Sequence, residues 1–174
     1  MFTWIKYVMA LPPEKRQWVL WWSGFAQPGL AVVLAIAFWK EPIPSAESHW
    51  LTVNGYINSE PELWTEDRTL VDFSVRYEVP AGMRDRAPAY SAKIPFHAAE
   101  LKKGSKVLVD IEYVDGKVIV QRVRSVHGIQ LFDPLLRAYV RQVENRSLML
   151  SCGVFVVFGF SCLVAAVFLH FRKA

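Results

Sequence analysis

Charge is missing from two stretches of this 174-residue chain: residues 18–38 and 148–169 contain no Asp, Glu, Lys or Arg. Each is about 20 residues long, enough at 1.5 Å per residue to cross a ~30 Å hydrocarbon core. The chain is therefore read as a two-span membrane protein. Cysteine is nearly absent as well. Cys152 and Cys162 both fall inside the second stretch, where they say nothing about an oxidising compartment.

Catalytic and ligand-binding patterns are missing too. There is no G-x-S-x-G elbow, so Ser125-Val126-His127 and Gly104-Ser105 do not support a hydrolase. Lys102-Lys103-Gly104-Ser105-Lys106 lacks the spacing of a phosphate-binding loop and reads as a charged turn. His49, His97, His127 and His170 are scattered, with no H-x₃-H, H-E-x-x-H or cysteine pair spacing, and read as solvated or core histidines. Asn145-Arg146-Ser147 matches a glycosylation acceptor only formally, because it abuts the second span. No catalytic residue, metal site or cofactor is expected, and the protein is not read as an enzyme.

What is present is apolar: 53% of residues are hydrophobic and 21% charged, which excludes disorder and leaves room for one modest soluble domain. The formal charge of +4 resides in the tails, because residues 40–147 contain fifteen Lys/Arg and fifteen Asp/Glu. Nucleic-acid binding is therefore disfavoured.

Two spans return the chain to its starting side. Lys6, Lys15 and Arg16 precede the first and Arg172 and Lys173 follow the second, and short basic flanks are retained in the cytoplasm. Lys40, Arg137, Arg141 and Arg146 border the insert and oppose this bias, but an insert longer than ~60 residues translocates largely regardless of its charge. The expected location is a cell (inner) membrane, with both termini cytoplasmic and the insert extracytoplasmic. A cleavable signal peptide is not expected, since no small-x-small site follows the first span.

Trp18, Trp21 and Trp22 are placed at one interface and Trp39 at the other, with ~27 Å of helix rise between Trp21 and Trp39. Ahead of them, Phe2, Trp4, Ile5, Val8 and Met9 suit a short helix lying on the membrane surface and ended by Pro12-Pro13; a frayed tail is the alternative. Within the first span, Gln27 is an amide that hydrocarbon cannot satisfy. Pairing the spans antiparallel, with Trp18 level with His170, puts residues whose numbers add to about 188 at one depth. That sets Gln27 opposite Ser161 as hydrogen-bond partner, and Ser161 with Ala165 and Cys162 with Ala166 form small-xxx-small pairs at the helix–helix contact. Neither span holds a buried carboxylate, His or Arg, so ion transport is not expected.

In the insert the period changes to two. Residues 71–77 and 107–113 alternate apolar with polar, and Asp115-Gly116 between the latter and residues 118–123 predicts a hairpin over 106–126. Weaker strands are expected over 51–57, with a bulge at Gly55, and over 90–96, with Pro95 marking an edge; residues 81–88 read as an exposed loop. About five antiparallel strands should curl into a small barrel or half-open sandwich. Asp133-Pro134 starts a helix that continues unbroken to His170, with Leu135, Leu136, Tyr139, Val140 and Val143 on one stripe that can dock on the sheet. The predicted order is thus tail 1–17, transmembrane helix 18–39, soluble β-domain 40–133, projecting amphipathic helix 134–147, transmembrane helix 148–170 and tail 171–174. The class is an α+β membrane protein.

Val53-Asn54-Gly55-Tyr56-Ile57, then Phe73-Ser74-Val75-Arg76-Tyr77-Glu78-Val79, then Lys103-Gly104-Ser105-Lys106-Val107 leading to Asp110-Ile111-Glu112-Tyr113, all between two spans, resemble a family of bacterial two-span proteins with a small extracytoplasmic β-domain. The resemblance covers roughly residues 50–124 and departs where Val114-Asp115-Gly116 replaces a proline-containing turn. It implies the architecture and a bacterial membrane, and it carries no chemistry. The expected role is a non-catalytic interaction module, an assembly factor or immunity-type protein, with membrane lipid and a protein as partners. The alternative is an accessory subunit of a larger membrane complex acting through its spans. Nothing in the sequence sets an oligomeric state.

Overall fold

A computed structural model describes residues 2–41, 50–79, 82, 84–114 and 116–171. It divides into two compact units, one of residues 1–40 with 145–174 and one of residues 41–144.

The first unit is helical. Helix α1, Phe2–Ala10, stops short of Pro12-Pro13, and α2, Pro13–Phe38, begins with Pro13 in its first turn, where a missing N–H costs nothing. Arg16 closes the junction: its Nη2 donates to the carbonyls of Met9 at 2.6 Å and Leu11 at 3.0 Å, which α1 leaves unsatisfied at its end. Helix α4, Pro134–Phe171, is continuous over 38 residues, as its lack of breakers predicts, and its part from Asn145 onward belongs to this unit. Both α2 and α4 are long and apolar enough to cross a membrane.

The second unit is an antiparallel half-barrel of seven strands with two helical pieces. Its strands are β1 (Leu51–Ile57), β2 (Glu62–Leu63), β3 (Leu70–Glu78), β4 (Arg84–Ala92), β5 (Lys106–Val114), β6 (Lys117–Ser125) and β7 (Gln130–Phe132); α3 (Lys93–Ala98) lies between β4 and β5. The path runs β2–β3–β1–β5–β6–β7, and β4 pairs with β3. The predicted hairpin is present as β5 and β6, with Gly116 at φ +76°, a value glycine adopts freely; Asp115 lies outside the described residues. Alternation along β3 and β5 puts Phe73, Val75, Tyr77, Val107, Val109 and Ile111 in one core, where Phe73 meets Phe96 of α3 at 5.2 Å.

Several expectations are corrected. The strand expected over 90–96 is instead β4 and α3. Residues 84–88, read as loop, are strand, while Pro80, Ala81 and Met83 lie outside the described residues. Pro88 is the edge proline, pairing with Ser74, and Pro95 sits in the first turn of α3. Gly55 marks no bulge: its register with β5 is unbroken, and the ladder shifts at Asp110/Ile111 instead. A Cβ at Gly55 would stand 2.9 Å from Val109 Cγ2 and 3.0 Å from the Arg76 carbonyl oxygen, so the glycine permits close packing of three strands. Strands β2 and β7, too short to show a period, were not anticipated.

Candidate functional site

In the helical unit α2 and α4 pack tightly where each carries a glycine, Gly24 and Gly159. A Cβ on Gly24 would lie 2.5 Å from Leu163 and 3.2 Å from the Gly159 carbonyl. One on Gly159 would lie 2.5 Å from Pro28 Cδ and 3.0 Å from the Gly24 carbonyl. Gln17 Nε2 meets His170 Nδ1 at 3.1 Å at one end of the pair. Near the middle Cys152 Sγ donates to the Ala31 carbonyl at 3.4 Å. At the other end Lys40 and Asn145 exchange two bonds of 3.1 and 3.0 Å. The helices are therefore antiparallel, and Gly24 meets Leu163 one residue from the depth the sequence assigns it.

The expected hydrogen bond between Gln27 and Ser161 is absent. Ser161 Oγ donates to its own helix at the Val157 carbonyl, 2.8 Å away, the usual refuge of a serine in a helix. Gln27 Oε1 is buried without a partner. Cys162 and Ala166 are buried, but with Val8 of α1 and Leu20 of α2, and Ala165 is partly buried beside them. Trp4 of α1 meets Phe158 edge-on at 5.2 Å. The small residues of α4 thus receive Val8 of α1 together with Leu20 of α2, and the glycines receive α2 alone. Gly24, Pro28 and Gly159 were missed as a contact; their near-equal depth in the antiparallel register was the signal available. Trp18, Trp22 and Trp39 are exposed, with Trp18 and Trp22 rings 5.7 Å apart, and Trp21 stacks on Phe25 at 5.9 Å.

The β-unit contains a buried polar chain. Gln121, fully buried, donates through Nε2 to Glu112 Oε2 and accepts at Oε1 from Arg137 Nη1 at 2.7 Å. Burial, then Arg141, pushes the Arg137 guanidinium down to about 10, and Glu112 opposes both. Beside this chain, Asp110 accepts from Thr52 Oγ1 at 2.7 Å and Arg124 Nη2 at 2.9 Å, and the Arg122 guanidinium lies 4.7 Å over the Trp50 ring. One turn further along α4, Val140 joins Trp64 and Leu70 in a small buried cluster with Tyr90 against it. Burial, followed by Asp72, Glu144 and Glu66, pushes Tyr90 up to about 12. Burial, followed by Glu62, Glu144 and Glu66, raises the Asp72 carboxyl.

None of these arrangements pairs a nucleophile with a base. Among the described residues no group of three or more His, Cys, Asp or Glu could hold a metal ion; His97 lies in α3, His127 precedes the Gly128 turn, and His49 lies outside the described residues. What the β-unit does offer is a groove of about 520 Å³ on its outer face, lined by Asn54, Tyr56, Arg76, Glu78, Arg84 and Lys106 among others. The chain matches no family model, no curated protein and no solved structure.

Proposed function

We propose that the protein is a two-span anchor that presents its β-unit at the extracytoplasmic face of a bacterial inner membrane as a non-catalytic interaction module, an assembly factor or immunity-type protein. The observation that carries this is the exterior of the helical unit. Phe25, Ile36, Val154 and Phe160 are 63, 78, 69 and 66% exposed, on helices whose apolar runs hold no charge. An apolar surface of that kind is an aggregation hazard in water and the required surface in lipid. The β-unit supports the interaction half of the reading, since it has a closed apolar core and an outer groove lined with charged side chains.

A second reading, an accessory subunit acting through its helices, is favoured by one observation, the buried and unpartnered Gln27 carbonyl. A polar atom left open beside a helix pair is what a neighbouring transmembrane helix could satisfy.

The test is chemical crosslinking in intact cells, purification of the full chain in non-ionic detergent, and identification of the joined protein. The module reading expects crosslinks from the β-unit that survive Gln27→Leu. Crosslinks confined to the helices and abolished by Gln27→Leu favour the subunit reading, and release of the chain from vesicles by alkaline carbonate overturns both.

A further inference from the structure

The register of the half-barrel aligns an unusual row on its outer face. Tyr56 pairs with Lys106 on one side and with Arg76 on the other, and Arg76 pairs in turn with Arg86. These residues alternate with the buried Ile57, Val75, Tyr77 and Val107, so the row points away from the core. In the adjacent row Glu78 pairs with Arg84 and Asn54 with Leu108. Among the described residues, Arg76, Arg84, Arg86 and Lys106 have neither an ion pair nor a side-chain hydrogen bond, whereas nearby Arg124 is held by Asp110 at 2.9 Å. Like charges directly opposite each other repel, and Arg76 and Arg86 are directly opposite.

We infer that this row is the docking surface for an acidic polypeptide segment. The inference rests on the module reading and names the partner's chemistry. Charge complementarity carries it: of the groove's lining side chains three are cations and one, Glu78, is a carboxylate, around the half-exposed ring of Tyr56. The geometry selects a chain over a small anion. Three strands at ~4.8 Å spacing stretch the groove's share of the row from Lys106 to Arg76 over ~10 Å, the reach of about three extended residues and too far for one phosphate, and beyond it Arg86 lines a separate depression with Glu60, Glu62 and Asp72. Tyr56 supplies a flat face between two cations, on which an aliphatic or aromatic side chain of the segment rests while flanking carboxylates reach Lys106 and Arg76.

The test uses the full chain in non-ionic detergent and a fluorescein-labelled octapeptide of alternating glutamate and valine, read by fluorescence anisotropy. We expect binding that weakens with added salt, no binding of the corresponding lysine–valine peptide, and an affinity about tenfold lower for the Arg76→Gln, Lys106→Gln double variant. Lys117→Gln, an exposed cation on β6, should bind as the parent does. Both altered side chains of the double variant point outward, and an unchanged thermal midpoint shows that it folds. Equal binding by the double variant overturns the inference. So does binding of phosphatidylglycerol vesicles without binding of the peptide, or salt-sensitive self-association of the chain that the double variant abolishes. If the crosslinked partner of the preceding section is retained by the double variant, the module reading stands and this surface is not its site.

Discussion

Gly159 and Gly153 lie six residues apart on α4 and differ in what surrounds them. A Cβ at Gly159 would stand 2.5 Å from Pro28 Cδ and 3.0 Å from the Gly24 carbonyl, neither of which can rotate away; at Gly153 nothing lies within 4 Å. Gly159→Ala must therefore push the helices apart and should cost about 1–3 kcal/mol in detergent unfolding, while Gly153→Ala stays within about 0.5 kcal/mol of the parent. Equal stabilities would mean that the helices do not meet there. At the surface of the β-unit, Asp67 accepts from the Thr69 N–H at 2.9 Å, from the Thr69 hydroxyl at 2.7 Å and from Tyr139 Oη at 2.7 Å. Those bonds, Thr69 first, hold the carboxyl below its ordinary 3.8, and the bond to Asp67 raises the Tyr139 hydroxyl above 10.0. A depressed carboxyl stabilises above its unfolded value and loses that contribution as pH falls through its folded value; a raised phenol stabilises below 10.0 and loses it as pH climbs. Tyr139→Phe should therefore lower the thermal midpoint slightly across the neutral range, with the difference vanishing in acid and again in strong alkali. A difference independent of pH would show that the phenol acts by packing alone.

The start of α4 was legible from two letters, Asp133 and Pro134, and its capping can be tested directly. The Leu136 N–H donates to Asp133 Oδ1 at 2.7 Å, and Gln130 Nε2 donates to Oδ2 at 2.7 Å. Asp133→Ala removes both and should cost about 1 kcal/mol in thermal unfolding, and Asp133→Asn, which can still cap, less; identical losses would deny the cap. The β5–β6 hairpin was equally legible, because alternation and a turn signal agree. Strand β4 was not. Its sequence, Arg-Asp-Arg-Ala-Pro-Ala-Tyr-Ser-Ala, carries the charges and proline with which edge strands avoid aggregation, and the same residues read as loop when no partner is in view. The Glu112–Gln121–Arg137 chain was illegible for another reason. The ladder shift at Asp110/Ile111 leaves Gln121 without an opposing residue, so a position that alternation cannot assign to a face becomes the buried link between a strand and a helix. The cationic row was hidden by sequence distance, since its neighbours across the sheet, Arg86 and Arg76, Arg76 and Tyr56, and Tyr56 and Lys106, stand 10, 20 and 50 residues apart until register brings them together.

For the whole molecule, two helices long and apolar enough to cross a membrane flank residues 41–144 in the sequence, and on the proposed reading the side that receives those residues is the topological quantity to measure. The antiparallel pairing was readable from matched run lengths. The seat of α1 was not, because nine amphipathic residues suit a lipid surface as well as a helix groove; Val8, buried with Leu20, Cys162 and Ala166, resolves that choice only in three dimensions. Cations flank both ends of both spans, so the charge bias is close to balanced and the length of residues 40–147 is what favours export. Ile94, 83% exposed on α3, reports the outcome without disturbing the core. With Cys152 and Cys162 shielded inside the apolar run, Ile94→Cys should be labelled by a membrane-impermeant maleimide in intact bacterial cells whose outer membrane has been permeabilised, at the level reached after lysis. Labelling only after lysis would place the β-unit in the cytoplasm, reverse the topology, and make any partner of the cationic row a cytoplasmic protein.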